Sequence, residues 1–109
     1  MARVVEWQIT ARLAAGTAQQ DAIAAELGMS ARTLARRLTD EGTSFAAVVA
    51  NLRKALARDY LLNSTLPLTE IAYLLGYSDA STFSTAFRRW YGQPPSDFRE
   101  QPATEAPLA

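Results

Sequence analysis

The sequence predicts an all-α fold of about seven helices, arranged as two helix-turn-helix units joined by one long helix. Three observations carry that expectation. Apolar residues recur at helical spacing along the chain, and no stretch alternates apolar and polar residues as a half-buried strand would. One pattern occurs twice. Ile23, Ala24, Leu27 and Gly28 return 48 residues later as Ile71, Ala72, Leu75 and Gly76, and Ser30, Leu34 and Leu38 return 49 residues later as Asp79, Phe83 and Phe87. Between the copies, residues 44–62 run without a helix breaker. The expected organisation is a first unit over 1–43, a linker helix over 44–62, a second unit over 63–99 and a disordered tail over 100–109, where proline and small polar residues dominate.

The elements follow in order. Residues 3–15 place Val5, Ile9 and Leu13 on one stripe and stop at Gly16. Thr17 with Gln20 reads as a capping box that opens a short helix running to Leu27. Gly28 ends it, because glycine accepts the left-handed conformation that closes a helix. Ser30 caps the next helix, from Ala31 to about Glu41, which Gly42 ends. In the linker helix Phe45, Val48, Val49, Leu52 and Leu56 form the stripe expected to be buried. The NSTLP segment breaks it, and a helix from about Leu66 to Leu75 follows with Pro67 in its first turn. Asp79 caps the helix that runs to about Tyr91. QPP then reads as a turn, and SDF as the start of a last short helix.

Each copy of the repeat is a helix, a glycine turn and a capped helix. The small residues Ala24 and Ala72 let the second helix cross the first closely, which is the pattern of a helix-turn-helix whose second helix enters the DNA major groove. With Leu34 and Leu38 inward, about 100° per residue puts Arg32, Arg36 and Thr39 on the opposite face, Ala35 at its edge and Arg37 beside the core. The same operation on the second copy exposes Ser81, Ser84, Thr85 and Arg88 and turns Phe83, Ala86, Phe87 and Trp90 inward. Arginine grips guanine O6 and N7 with two parallel hydrogen bonds and also serves phosphates. One such pattern occurs in many ordinary bundles, where the arginines are a solvated face. It is the matched pair that points to DNA. Arg53, Lys54 and Arg58 read as a solvated face of the linker helix, with contact to DNA as the minor alternative.

The chain has 109 residues, room for one small core or two that share a helix. It contains no cysteine and no histidine, which removes disulfides, thiolate metal sites, the commonest metal ligand and the commonest general base. No metal and no cofactor is expected. With no base beside Ser44 or Ser81 and no paired carboxylates, the expectation is not an enzyme. No apolar run approaches the ~18 residues of a membrane span, and a cytoplasmic location is expected. Formal net charge is zero, so a basic face must come from local clustering: three arginines and no acid lie between Ser30 and Thr39.

The segments IAAELGMSARTLARRLTDEGTSF and IAYLLGYSDASTFSTAFRRWYGQPPSDFR resemble the DNA-binding domain of the AraC/XylS family of bacterial transcription regulators, over about residues 17–99. The resemblance implies seven helices, with both recognition helices in successive major-groove segments on one face of double-stranded DNA. It also implies action beside promoters, with RNA polymerase as a partner. The family's base-reading positions fall on Arg32, Ala35 and Arg36, and on Ala80, Ser81, Ser84 and Thr85. Ser30 and Asp79 would stand at helix N-termini near phosphates, Asp79 as a cap. Ala31 and Ala80 stand where proline is common, and Thr85 where arginine is frequent, so the first recognition helix is expected to dominate. Many members carry an effector-binding or dimerisation domain that this chain lacks, and a fragment of a longer regulator is expected over a stand-alone one. The competing expectation is a helical protein-interaction module that kept the fold and lost DNA binding.

Overall fold

Polar turns and glycines divide the chain into seven helices in the computed structural model, which describes residues 1–100. They are α1 (Ala2–Arg12), α2 (Gln20–Glu26), α3 (Ala31–Asp40), α4 (Phe45–Asn63), α5 (Leu68–Leu74), α6 (Ala80–Tyr91) and α7 (Pro95–Arg99). There is no strand among the described residues. The tail expected to be disordered lies outside them apart from Glu100, which caps α7.

Three helices start on side-chain caps that satisfy an otherwise orphaned backbone donor. Ser30 accepts from the Thr33 N–H at 3.1 Å, Ser44 from the Ala47 N–H at 3.1 Å and Asp79 from the Thr82 N–H at 2.7 Å. The capping box read at Thr17 is not formed: α2 begins at Gln20, and Gln19 stands at its N-cap with no side-chain cap. The Thr17 N–H is already used, donating to the Arg12 carbonyl at 3.2 Å as part of the turn that closes α1. That turn also ends α1 at Arg12, three residues earlier than the apolar spacing implied. Pro67 is the N-cap of α5 rather than a residue of its first turn, and its carbonyl accepts from the N–H of Ile71 at 3.1 Å.

The apolar residues gather into two clusters. Val5, Ile9 and Leu13 of the α1 end pack with Ile23, Ala24, Leu34, Leu38 and Val48. Ala57 and Leu61 pack with Ile71, Ala72, Leu75, Phe83, Phe87 and Phe98. The first cluster is aliphatic. The second is built round Phe87, whose ring lies 4.7 Å from that of Tyr91 and 5.2 Å from that of Phe98. Helix α4, about 28 Å long for its 19 residues, contributes to both clusters. Its expected stripe serves the first, with Val48 buried and Phe45, Val49, Leu52 and Leu56 partly so; the Ala57–Leu61 stripe serving the second was not anticipated.

The two halves also meet away from α4. Gly76, in the turn between α5 and α6, has φ +89°, and a Cβ placed there would stand 2.8 Å from the Leu13 carbonyl oxygen and 3.2 Å from Arg53 Nη2. Arg53 donates from Nε to the Leu75 carbonyl at 2.9 Å, and its guanidinium lies 4.9 Å from the centre of the Tyr77 ring. Backbone of the first half, an arginine of α4 and the second glycine turn are thus in direct contact.

Candidate nucleic-acid interface

Helix α3 places its buried and exposed residues as a 3.6-residue period requires. Leu34 and Leu38 are fully buried, while Arg32, Arg36, Arg37 and Thr39 are exposed and Ala35 is half-buried. None of these arginines forms an ion pair among the described residues, so their guanidinium donors are open to a ligand. The Ser30 hydroxyl is occupied: it accepts from the Thr33 N–H and donates to Thr33 Oγ1 at 3.0 Å.

Helix α6 repeats the arrangement with different chemistry. Phe83, Ala86 and Phe87 are buried, Ser81, Thr85 and Arg88 exposed, and Ala80 and Ser84 half-buried. Trp90, expected in the core, is only half-buried at its edge. The Thr85 hydroxyl donates to the Ser81 carbonyl at 3.1 Å, which turns its hydrogen into the helix. The exposed face of α6 therefore offers short hydroxyls and Arg88, with Arg89 exposed at its border, where α3 offers three guanidiniums.

Asp79 is the only carboxylate cap at the recognition helices. The Thr82 backbone N–H, then the Thr82 hydroxyl, hold its carboxyl below the ordinary range. A depressed pKa contributes stability above the unfolded value near ~3.9 that is lost as pH falls through the folded value. Asn caps equally well but does not titrate. In thermal melts, the advantage of wild type over Asp79→Asn should therefore shrink as pH is lowered from neutrality to about 3. A difference independent of pH would show that the charged form gains nothing from the cap.

The basic cluster of α4 is not the solvated face the sequence suggested. Arg53 and Lys54 are half-buried, and only Arg58 is exposed. Arg53 makes the contacts described above, and Lys54 Nζ lies 5.3 Å from the centre of the Tyr91 ring, whose hydroxyl donates to the Lys54 carbonyl at 3.0 Å. Arg53 follows Val49 by four residues and so continues its stripe, a signal that was present in the chain. No group of acidic residues among those described could hold a metal ion, and no helix is long and apolar enough to cross a membrane.

A family described as a helix-turn-helix domain matches residues 23–101, which takes in both units. The chain belongs to the AraC/XylS family of helix-turn-helix regulators. It is 51% identical over 79 residues to the ornithine utilization regulator of Pseudomonas aeruginosa, a match covering 72% of this chain and 23% of that one. It is 40% identical over 81 residues to the transcriptional activator RhaS of Escherichia coli, covering 73% of this chain and 29% of that one. The chain thus spans about a quarter of the length of these curated relatives. Among solved structures it is similar to the C-terminal domain of AraT, a response regulator from Geobacillus stearothermophilus. That match has a TM-score of 0.80 and 29% identity and covers 93% of this chain and 84% of that one. It is also similar to the DNA-binding domain of AdpA, a global transcriptional factor solved in complex with a target DNA. Here the TM-score is 0.75 and the identity 25%, over 99% of this chain and 96% of that one.

Proposed function

We propose that the chain is the DNA-reading part of a bacterial transcription regulator, laying α3 and α6 in successive major-groove segments of double-stranded DNA. The observation that carries this is the pair of capped helices in one chain, each buried on one face and bare on the other. The bare face of α3 holds Arg32 and Arg36 without an acidic partner. The likeness to a domain solved on DNA supports it. So does scale: a linker of about 28 Å suits two sites about one DNA turn, ~34 Å, apart. Ser30, Arg32, Ala35, Arg36 and Thr39 form the first reading surface, and Ala80, Ser81, Ser84, Thr85 and Arg88 the second. RNA polymerase would be approached once the domain is seated beside a promoter in the cytoplasm. Effector binding or dimerisation would belong to another domain of a longer protein, in keeping with the greater length of the relatives.

Selection of binding sites from random duplex DNA, followed by a salt titration on the selected site, tests the reading. It should return one sharply defined half-site, a looser one about a turn away and affinity that falls steeply with salt. Weak, sequence-blind binding would overturn it in favour of a protein-interaction module. On the selected site Arg36→Ala should cost about 1–3 kcal/mol of binding. Thr85→Ala should cost clearly less, because its hydroxyl is committed to the Ser81 carbonyl. Equal losses would remove the asymmetry between the two surfaces.

A further inference from the structure

A cleft of about 430 Å³ lies between the two halves, lined by no residue of either reading surface. Helix α4 forms its floor through Ala46, Ala50 and Arg53; Ala18 stands on the first-half side, and Tyr77 and Arg89 on the second-half side. No carboxylate lines it, and neither Arg53 nor Arg89 has an acidic partner among the described residues. Arg53 and Arg89 line the cleft together with Tyr77, and the charges of both oppose the rise that burial imposes on the pKa of the Tyr77 hydroxyl. Two guanidinium side chains lining one cleft with no counter-charge there suit an anion.

The site is also preorganised. Arg53 is held by its Nε bond to the Leu75 carbonyl and by the Tyr77 ring. Arg89 follows Thr85 by four residues, so it stands about 40° round α6 from the exposed face and borders that face on the side of the cleft. With α4 behind it, the cleft opens next to the surface proposed to enter the major groove.

We propose that Arg53 and Arg89 together bind a phosphodiester group of the DNA backbone in the stretch between the two major-groove sites. This rests on the function proposed above and adds a contact outside both reading surfaces. A grip of this kind fixes position without reading sequence. It also gives a chain of zero net charge a concentrated anchor where the DNA backbone crosses between its two halves.

The test uses Arg89→Ala, because Arg89 makes no hydrogen bond whose loss would disturb the fold among the described residues. On the site selected by wild type, the variant should bind about fivefold more weakly at 0.15 M salt, and its log–log salt slope should be shallower by about one. Its order of preference among mismatched sites should be unchanged, unlike that of Arg36→Ala. Duplexes carrying neutral methylphosphonate linkages between the half-sites locate the contact. Replacing the gripped phosphate should weaken wild type and add nothing to Arg89→Ala. An unchanged slope in the variant, or an equal methylphosphonate penalty in both proteins, overturns the inference. If wild type selects no site at all, the proposed function fails before the variant is made, so the two failures are told apart.

Discussion

Arg99→Ala should lower the stability of the chain by about 3 kcal/mol, measured by urea or thermal unfolding with circular dichroism. The guanidinium of Arg99 donates to four backbone carbonyls: Leu61 at 3.2 Å, Tyr60 at 3.2 Å, Ser64 at 3.1 Å, and Leu66. Tyr60 and Leu61 lie in the last turn of α4 and Ser64 is its C-cap; the Tyr60 oxygen also accepts from the Ser64 N–H and hydroxyl, whereas no bond from α4 itself reaches the oxygens of Leu61 and Ser64. A cation there also meets the negative end of the helix dipole. A single charged hydrogen bond contributes about 1.5–3 kcal/mol, and four on one half-buried group are not additive, since water recovers part of the loss. Arg99→Lys should not restore stability, because one ammonium cannot reach four oxygens spread round a planar fork. A loss below about 1 kcal/mol, or full rescue by lysine, would mean that water satisfies the end of α4 unaided.

Gly76→Ala should cost about as much, and comparison with Gly28→Ala isolates the reason. Both glycines hold the same place in the repeat and both have positive φ, +89° and +74°. Alanine at either position carries the left-handed penalty of about 1–2 kcal/mol. At Gly28 a Cβ meets nothing within 4 Å, whereas at Gly76 it meets the Leu13 carbonyl oxygen at 2.8 Å. That oxygen is backbone and cannot swing aside, so Gly76→Ala should cost a further ~1–3 kcal/mol from overpacking. Equal melting temperatures for the two variants would show that the halves separate freely at this point.

The residues whose roles depend on neighbours in the chain were legible in advance. Helical period assigns Leu34 and Leu38 inward and Arg32 and Arg36 outward, and the caps at Ser30 and Asp79 lie next to the helices they start. What escaped was set by distance along the chain or by competition. Arg53 reaches a carbonyl 22 residues away and Arg99 reaches carbonyls 33 to 39 residues away; no period announces such pairs. Thr17 has the right neighbour for a capping box but loses its N–H to the end of α1. Thr85 shows its exposed position in the sequence but not the direction of its hydroxyl. The bare face of α3 could be read from the sequence alone, whereas the anion-seeking cleft needed the fold to bring α4 and α6 together.

The junction of Leu13, Gly76 and Arg53 has a consequence for the DNA itself. Each base pair of B-form DNA turns the duplex by about 35° and advances it by about 3.4 Å. Two readers on a loose tether could follow an inserted base pair by swivelling. Two readers held in contact through a backbone oxygen, a side-chain-free glycine and a guanidinium resist that swivel, and the strain of a misphased operator falls on the duplex, as twist. In the proposed docking the domain therefore senses torsion as well as sequence. An operator slightly under- or overwound by supercoiling should present its second half-site in or out of phase, and occupancy should follow the superhelical state of the surrounding DNA.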